Sequence, residues 1–295
     1  MKIAVITFFD NGNYGSELQA FAMSDVLKQL GHEPLFYKIK ASNLFGRALE
    51  IGLDKLSIYK NCIINKEFRQ IQRARTNNLK HQRVISPTMR ACVHSFTKES
   101  IEINTVPRHR FGKMPGIDCY LCGSDQVWSA LRLPIRKENF LVDISSNRKV
   151  AYAPSFGLDN WPEYFKKRIA DYLKDFKYIS VREESAKEQL RLLINREVDV
   201  VLDPTMLVGR SFWENQLGDG SIIREVGEKY VFCYFLGNMP QSVLSTINQQ
   251  YPNHRIVCLP YAEDATVFEN GTYFDANPKE FVSLIKHSDM VQLPG

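Results

Sequence analysis

Ile117-Asp118-Cys119-Tyr120-Leu121-Cys122-Gly123-Ser124-Asp125-Gln126-Val127-Trp128 is the stretch on which the reading of this chain turns. Its first half is an apolar run of strand length, and its second half is a turn of small and polar residues. A short apolar run bounded by such a turn reads as a strand buried on both faces. Open α/β sheets bind ligands outside the carboxyl ends of strands of this kind. Gly123 and Ser124 let the backbone approach a ligand closely, Asp125 and Gln126 bring a carboxylate and an amide, and Trp128 offers a flat apolar wall. The stretch therefore predicts part of a site for a polar small molecule.

The same rhythm extends in both directions. Ile3 to Phe9 reads as a first strand and Asp10 to Ser16 as a polar loop. Glu17 to Leu30 reads as a helix, with apolar residues at Leu18, Phe21, Ala22, Val26, Leu27 and Leu30 and an end signal at Gly31. Pro34 to Ile39 follows as a strand, which completes a Rossmann-like opening. Downstream, strands at Lys149 to Ala153, Lys177 to Val181 and Val198 to Leu202 alternate with helices at Trp161 to Phe176 and from Arg182-Glu183-Glu184-Ser185 to Leu193. Such alternation predicts a mostly parallel sheet covered on both faces. A boundary falls near Gly218-Asp219-Gly220. Beyond it come a strand from Tyr230, a helix over Gln241 to Gln250, a strand from Arg255, a helix started by Asn277-Pro278, and a strand at Asp289-Met290-Val291.

The expected fold class is thus α/β, with a Rossmann-like domain over 1–217 and a second, shorter unit over 218–295. From Tyr230 onward the chain offers fewer residues than the roughly 100–150 of a usual domain, so the second unit is expected to be incomplete. Residues from about 41 to 97 break the rhythm and are rich in Lys and Arg, which predicts one or two inserted helices. Their apolar face is weak, so a solvated helical face is favoured over a basic surface for an anionic substrate or membrane.

The net charge of +5 over 295 residues is modest and falls short of what marks a nucleic-acid binder. No stretch is long and apolar enough to span a bilayer, and the amino terminus starts a strand rather than a signal peptide. The expected location is cytoplasmic. Of the six cysteines, Cys119 and Cys122 form a C-x-x-C, but both lie in a strand pattern with no second pair and no suitably spaced histidine. They read as small core residues rather than as metal or redox groups, and no metal site or cofactor is expected.

Four loops follow predicted strands: 11–16, 123–128, 154–157 and 182–185. In a parallel sheet such loops share one edge and can converge. Asn13, Gly15 and Ser16 precede a helix, whose first N–H groups and dipole favour an anion; a turn that merely needs glycine explains the pattern equally well. Arg182 can hold a carboxylate or phosphate with two parallel hydrogen bonds, or pair with Glu183, Glu184 or another carboxylate. Asp125 can act as a general base or orient a hydroxyl, or it can cap the following helix. Asp203-Pro204 reads as a turn at the domain exit. None of His32, His81, His94, His109 and His287 pairs convincingly with a nucleophile.

At these loops the chain resembles the polysaccharide pyruvyl transferase family. The matching stretches are Asn13-Tyr14-Gly15-Ser16-Glu17-Leu18-Gln19-Ala20, Gly123 to Trp128, Ala151-Tyr152-Ala153-Pro154-Ser155-Phe156-Gly157, Ser180-Val181-Arg182-Glu183-Glu184-Ser185 and Val201-Leu202-Asp203-Pro204-Thr205, in the family's order. The resemblance implies two Rossmann-like halves as in GT-B glycosyltransferases. It also implies transfer of a pyruvyl ketal group from phosphoenolpyruvate to sugar hydroxyls of a cell-surface polysaccharide or its lipid-linked precursor. Donor and acceptor would be held by Asn13, Gly15, Ser16, Ser124, Gln126, Trp128, Ser155 and Arg182, with Asp125 in the chemistry. Peripheral contact with the inner face of the membrane would run through the basic segment 47–90. The family's general acid is a histidine in an Asp-Ser-Phe-His-Gly type motif. Here Asp289-Met290-Val291 leads instead into Gln292-Leu293-Pro294-Gly295. The expectation is therefore a C-terminally truncated member that is inactive as written. A non-catalytic sugar-binding remnant and a GT-B enzyme using a nucleotide sugar stand as alternatives.

Overall fold

The computed structural model describes residues 1–40, 87–129, 135–235, 238–259, 271–273 and 276–293, with scattered helical positions between 52 and 69. Most of the basic segment expected at 41–97 therefore lies outside the described residues. Strands are β1 (Lys2–Ile6), β2 (Glu33–Lys40), β3 (Ile103–Pro107), β4 (Cys119–Cys122), β5 (Lys149–Ala151), β6 (Tyr178–Val181), β7 (Asp199–Val200), β8 (Tyr230–Cys233), β9 (Arg255–Cys258) and β10 (Met290–Gln292). Helices are α1 (Tyr14–Gln29), α2 (Pro87–Ser100), α3 (Arg108–Phe111), α4 (Glu163–Lys174), α5 (Glu184–Ile194), α6 (Arg210–Glu214), α7 (Ser221–Val226), α8 (Gln241–Gln250) and α9 (Pro278–His287). The chain forms two compact units. Of the described residues, those in 1–9, 18–40 and 98–208 belong to the first, and those in 10–17, 87–97 and 209–293 to the second.

The first unit is built on a seven-stranded sheet in the order β3-β2-β1-β4-β5-β6-β7, parallel throughout. Alternation along the central strands supplies both of its faces, because successive side chains of a strand point to opposite sides. Ala4 and Ile6 of β1 and Tyr120 and Cys122 of β4 enter one core with Phe165, Ile169 and Leu173 of α4 and Leu190 of α5. Ile3, Val5 and Leu121 enter the other with Phe36 of β2 and Ala20, Met23 and Leu27 of α1. Full burial of each large apolar side chain contributes roughly 2 kcal/mol, so these two cores hold α1, α4 and α5 to the sheet.

The helix end predicted at Gly31 is present as a Schellman turn. Gly31 has φ +75°; its N–H donates to the Lys28 carbonyl at 2.9 Å and that of His32 to Leu27 at 3.0 Å. The sequence reading missed β3. It is an edge strand that pairs only with β2, Phe36 opposite Ile103 through Lys40 opposite Pro107. Its half-exposed pattern lacks the continuous apolar run of the central strands, and Pro107 is tolerated because, among the described residues, no strand pairs on its other side.

The second unit carries a three-stranded parallel sheet, β10-β8-β9, with Met290 opposite Val231 and Tyr230 opposite Arg255. Helix α9 starts as predicted. Asn277 Oδ1 accepts from the Lys279 and Glu280 N–H groups at 2.9 and 3.0 Å, Glu280 Oε2 accepts from Asn277 N–H at 2.6 Å, and Pro278 takes the first helical position. Two of the helix's orphan donors are satisfied by this capping box. Asn277→Ala should therefore lower stability by about 1 kcal/mol in urea unfolding, whereas an unchanged midpoint would show the box to be energetically idle.

Candidate strand-end site

In the first unit, β4, β5, β6 and β7 run parallel, so the segments after them leave from one edge. A single carboxylate ties three of these segments together. Asp203 Oδ2 accepts from Arg182 Nη1 at 2.9 Å and lies 2.9 Å from the Ser124 hydroxyl. Asp203 Oδ1 accepts from the Thr205 N–H at 3.0 Å and the Thr205 hydroxyl at 2.8 Å. The Ser124 hydroxyl is also 3.1 Å from the Ala153 carbonyl, and the Tyr152 hydroxyl donates to the Leu202 carbonyl at 2.9 Å. From below, Gln19 Nε2 donates to Thr7 Oγ1, whose hydroxyl donates to the Ser124 carbonyl at 2.9 Å.

Backbone geometry fixes the 123–125 turn. Gly123 has φ +111°, and a Cβ there would stand 2.0 Å from the Tyr152 carbonyl oxygen, so only glycine fits. Asp125 has φ +72°. Its carbonyl accepts from the N–H groups of Val127 and Ser155, both at 2.8 Å, and its Oδ1 from the Gln126 N–H at 2.7 Å. Asp125 is half-buried and Gln126 exposed. The Gln126 side chain passes 3.3 Å from where a Gly157 Cβ would be.

Asp203 thus links Ser124 to Arg182, and a main-chain hydrogen bond joins Asp125 to Ser155; two expectations need correction. Trp128 is no ligand wall. It is fully buried, its Nε1 donates to the Asn139 carbonyl at 2.7 Å, and its ring stacks on Phe140 with centroids 5.4 Å apart. A buried indole usually finds a partner for its N–H, as this one does. Ser124 and Ser155 are likewise buried; Ser124 turns its hydroxyl to protein acceptors, and the Ser155 hydroxyl accepts from the Gly157 N–H at 3.2 Å. They shape the edge rather than display a group on it. Arg182 pairs with Asp203 and lies 3.7 Å from Glu183 Oε1, with 31% of its side chain exposed.

The Cys119–Cys122 motif is structural. The Cys122 thiol donates to the Asn139 carbonyl, and burial pushes its pKa far up, away from the thiolate that metal or redox chemistry needs. Among the described residues no cluster of His, Cys, Asp or Glu has the makings of a metal site, and no helix is long and apolar enough to cross a membrane.

In the second unit, Asn13 caps α1. Its Oδ1 accepts from the Ser16 N–H at 3.1 Å, and a Cβ on Gly15 would come within 3.2 Å of that oxygen. Ser16 is buried and Gly15 exposed. Residues that the sequence reading passed over complete this segment. The buried Glu17 carboxylate accepts from the N–H groups of Asp10 (2.9 Å) and Asn11 (3.0 Å) and from the Thr97 hydroxyl (2.7 Å). Asp10 in turn holds His94 Nδ1 at 3.0 Å. No spacing rule joins residue 10 to residues 94 and 97, whereas Asp203-Pro204-Thr205 did carry the signal of a side-chain-capped turn.

A model of the polysaccharide pyruvyl transferase family matches residues 13–291 of the 295. The chain belongs to the polysaccharide pyruvyl transferase family. No curated relative matches closely enough to add to this. The match includes α9 and most of β10, so the expectation of an incomplete second unit gains no support from it. In an open parallel sheet the strand-end edge is where a polar ligand is to be sought.

Two outcomes follow for this chain. Asp203→Ala removes the acceptor that gathers Arg182, Ser124 and Thr205, and should cost roughly 2 kcal/mol in urea unfolding; a loss under a few tenths would mean that the segments hold without it. Burial raises the Glu17 pKa above its ordinary 4.5, outweighing the three donors that lower it. A carboxyl with a raised folded pKa contributes stability below its unfolded pKa and loses it as pH rises through the folded value. The stability of wild type relative to Glu17→Gln should therefore fall between pH 4 and pH 7. A relative stability that rises over this range would contradict the assignment.

Proposed function

We propose that this chain transfers the pyruvyl group of phosphoenolpyruvate to two hydroxyls of a saccharide acceptor, forming a cyclic ketal and releasing phosphate. What carries the reading is a partly exposed guanidinium at Arg182, beside Ser124 and Asp125 at a strand-end edge, in a chain of this family. The donor is a compact trianion. A guanidinium that an aspartate orients is suited to a phosphate or carboxylate, because its fork matches their oxygens. Asp203 holds one nitrogen of Arg182 and thereby restricts the plane of a guanidinium that stays partly exposed.

In this reading Arg182 binds the donor, Asp125 and Gln126 orient acceptor hydroxyls, and Ser124 and Ser155 shape the floor beneath them. Asn13, Gly15 and Ser16 give α1 an anion-binding start. The reading includes two Rossmann-like halves of GT-B type, a lipid-linked acceptor, and action on the cytoplasmic side of a membrane, touched through the basic segment 47–90. The reaction needs no metal or other cofactor, since Arg182 supplies the positive charge that stabilises the donor's oxygens. Activity in this chain is supported by the family match over residues 13–291.

The test is phosphate release from phosphoenolpyruvate in the presence of saccharides with neighbouring hydroxyl pairs, with the ketal methyl group followed by proton NMR. Release should depend on acceptor, survive chelation by EDTA, and show a phosphoenolpyruvate KM raised at least about tenfold in Arg182→Ala, the loss of one charge-assisted contact. Failure to bind phosphoenolpyruvate, with nucleotide sugars bound instead, would replace this reading with the glycosyltransferase one.

A further inference from the structure

Two carboxylates flank Arg182, and they are held very differently. The oxygens of Asp203 accept from Arg182 Nη1, the Thr205 N–H and the Thr205 hydroxyl, and lie 2.9 Å from the Ser124 hydroxyl. Its charge is thereby spread over four donors. Glu183 has no such set. Its Oε1 stands 3.7 Å from Arg182 Nε, beyond hydrogen-bond distance. Its Oε2 is buried with no hydrogen-bond partner among the described residues.

Local chemistry offered Glu183 an easier place. It is the N-cap residue of α5, at φ −118° and ψ 141°, and its carbonyl accepts from the Lys187 N–H at 3.2 Å. An acid there can accept from the first free N–H groups of its helix and gain from the dipole, yet the Glu183 side chain makes no capping bond. Its Oε1 is turned to Arg182 instead, with 33% of the side chain exposed. A buried oxygen left without a partner lowers stability and asks for another role. A charge partly shielded from water also acts on its neighbours more strongly than a fully solvated one. At Arg182 a single positive charge thus stands against two negative ones.

We infer that Glu183 sets how tightly Arg182 holds phosphate, keeping that hold weak enough for the product to leave; the inference rests on the pyruvyl-transfer reading above. An anion on Arg182 gains the attraction of the guanidinium and meets the repulsion of Glu183 at close range. Asp203 repels it less, because four donors already offset its charge. The donor has a carboxylate to draw on besides its phosphate. Released phosphate has the guanidinium alone, so the same repulsion takes a larger share of its affinity. A guanidinium without this opposing charge would retain the product, and release of product is a step that can limit turnover.

Isothermal titration of the full chain with phosphoenolpyruvate, and with inorganic phosphate as its competitor, tests this in wild type, Glu183→Gln and Glu184→Gln. Glu183→Gln keeps the shape of the side chain and removes its charge. It should tighten phosphate at least about fivefold and make phosphate a stronger product inhibitor of ketal formation by a similar factor. Most of that gain should vanish in about 0.5 M sodium chloride, where a change in packing would persist. Glu184 is 72% exposed and pairs with Lys187, so Glu184→Gln should leave phosphate binding within about twofold. A Glu183→Gln chain that binds phosphate no more tightly than wild type overturns the inference and leaves the reading of the site intact. So does a gain that high salt leaves unchanged, or one that Glu184→Gln equals. A wild type that binds neither anion overturns the functional reading and this inference with it.

Discussion

The first unit's strand-end edge depends on the Asp203 carboxylate. Four donors converge on its two oxygens, from three segments that follow three different strands. Strands β4 to β7 are short, between two and four residues each, and the ladder alone could not position what lies beyond them. A hydrogen bond to a charged group contributes about 1.5–3 kcal/mol when its geometry is good. Asp203 therefore does for the loops what the apolar cores do for the sheet. It also consumes part of Arg182, so the guanidinium arrives at the edge oriented instead of free to swing.

A second constraint acts through the backbone. Gly123 sits where a Cβ would collide with the Tyr152 carbonyl, which lets the 122–125 and 152–155 segments run against each other. Asp125 and Ser155 then join by a main-chain hydrogen bond. Glycine was singled out in the sequence for close approach to a ligand; the close approach found is to the neighbouring segment. The physical requirement was read correctly and its partner was not, because a sequence shows that a Cβ is missing and not what occupies its place.

Much of the fold was legible for similar reasons. The central strands announce themselves as apolar runs, the Gly31 and Asn277-Pro278 signals mark helix ends by local chemistry, and the parallel sheet follows from the alternation of elements. The edge strand β3 was hidden because one-sided pairing asks little of its side chains. The candidate site was legible where it depended on turn chemistry, as at Gly123 and Arg182. It was misread at Trp128, since an aromatic residue beside a polar turn has the same composition whether its ring faces a ligand or the Phe140 ring. It was invisible where distant residues meet: nothing in the order of residues joins Asp10 to His94 or Asp203 to Ser124.

The central claim is that the edge organised by Asp203 receives the anionic donor. Amide hydrogen exchange with and without phosphoenolpyruvate addresses it most directly, because exchange reports local opening segment by segment. The account predicts added protection in 123–126, 153–157 and 182–185 when phosphoenolpyruvate is present, and none when an equal concentration of a neutral saccharide is added alone to the Arg182→Ala variant. Unchanged exchange in these segments at saturating phosphoenolpyruvate, or protection confined to other parts of the chain, would contradict it.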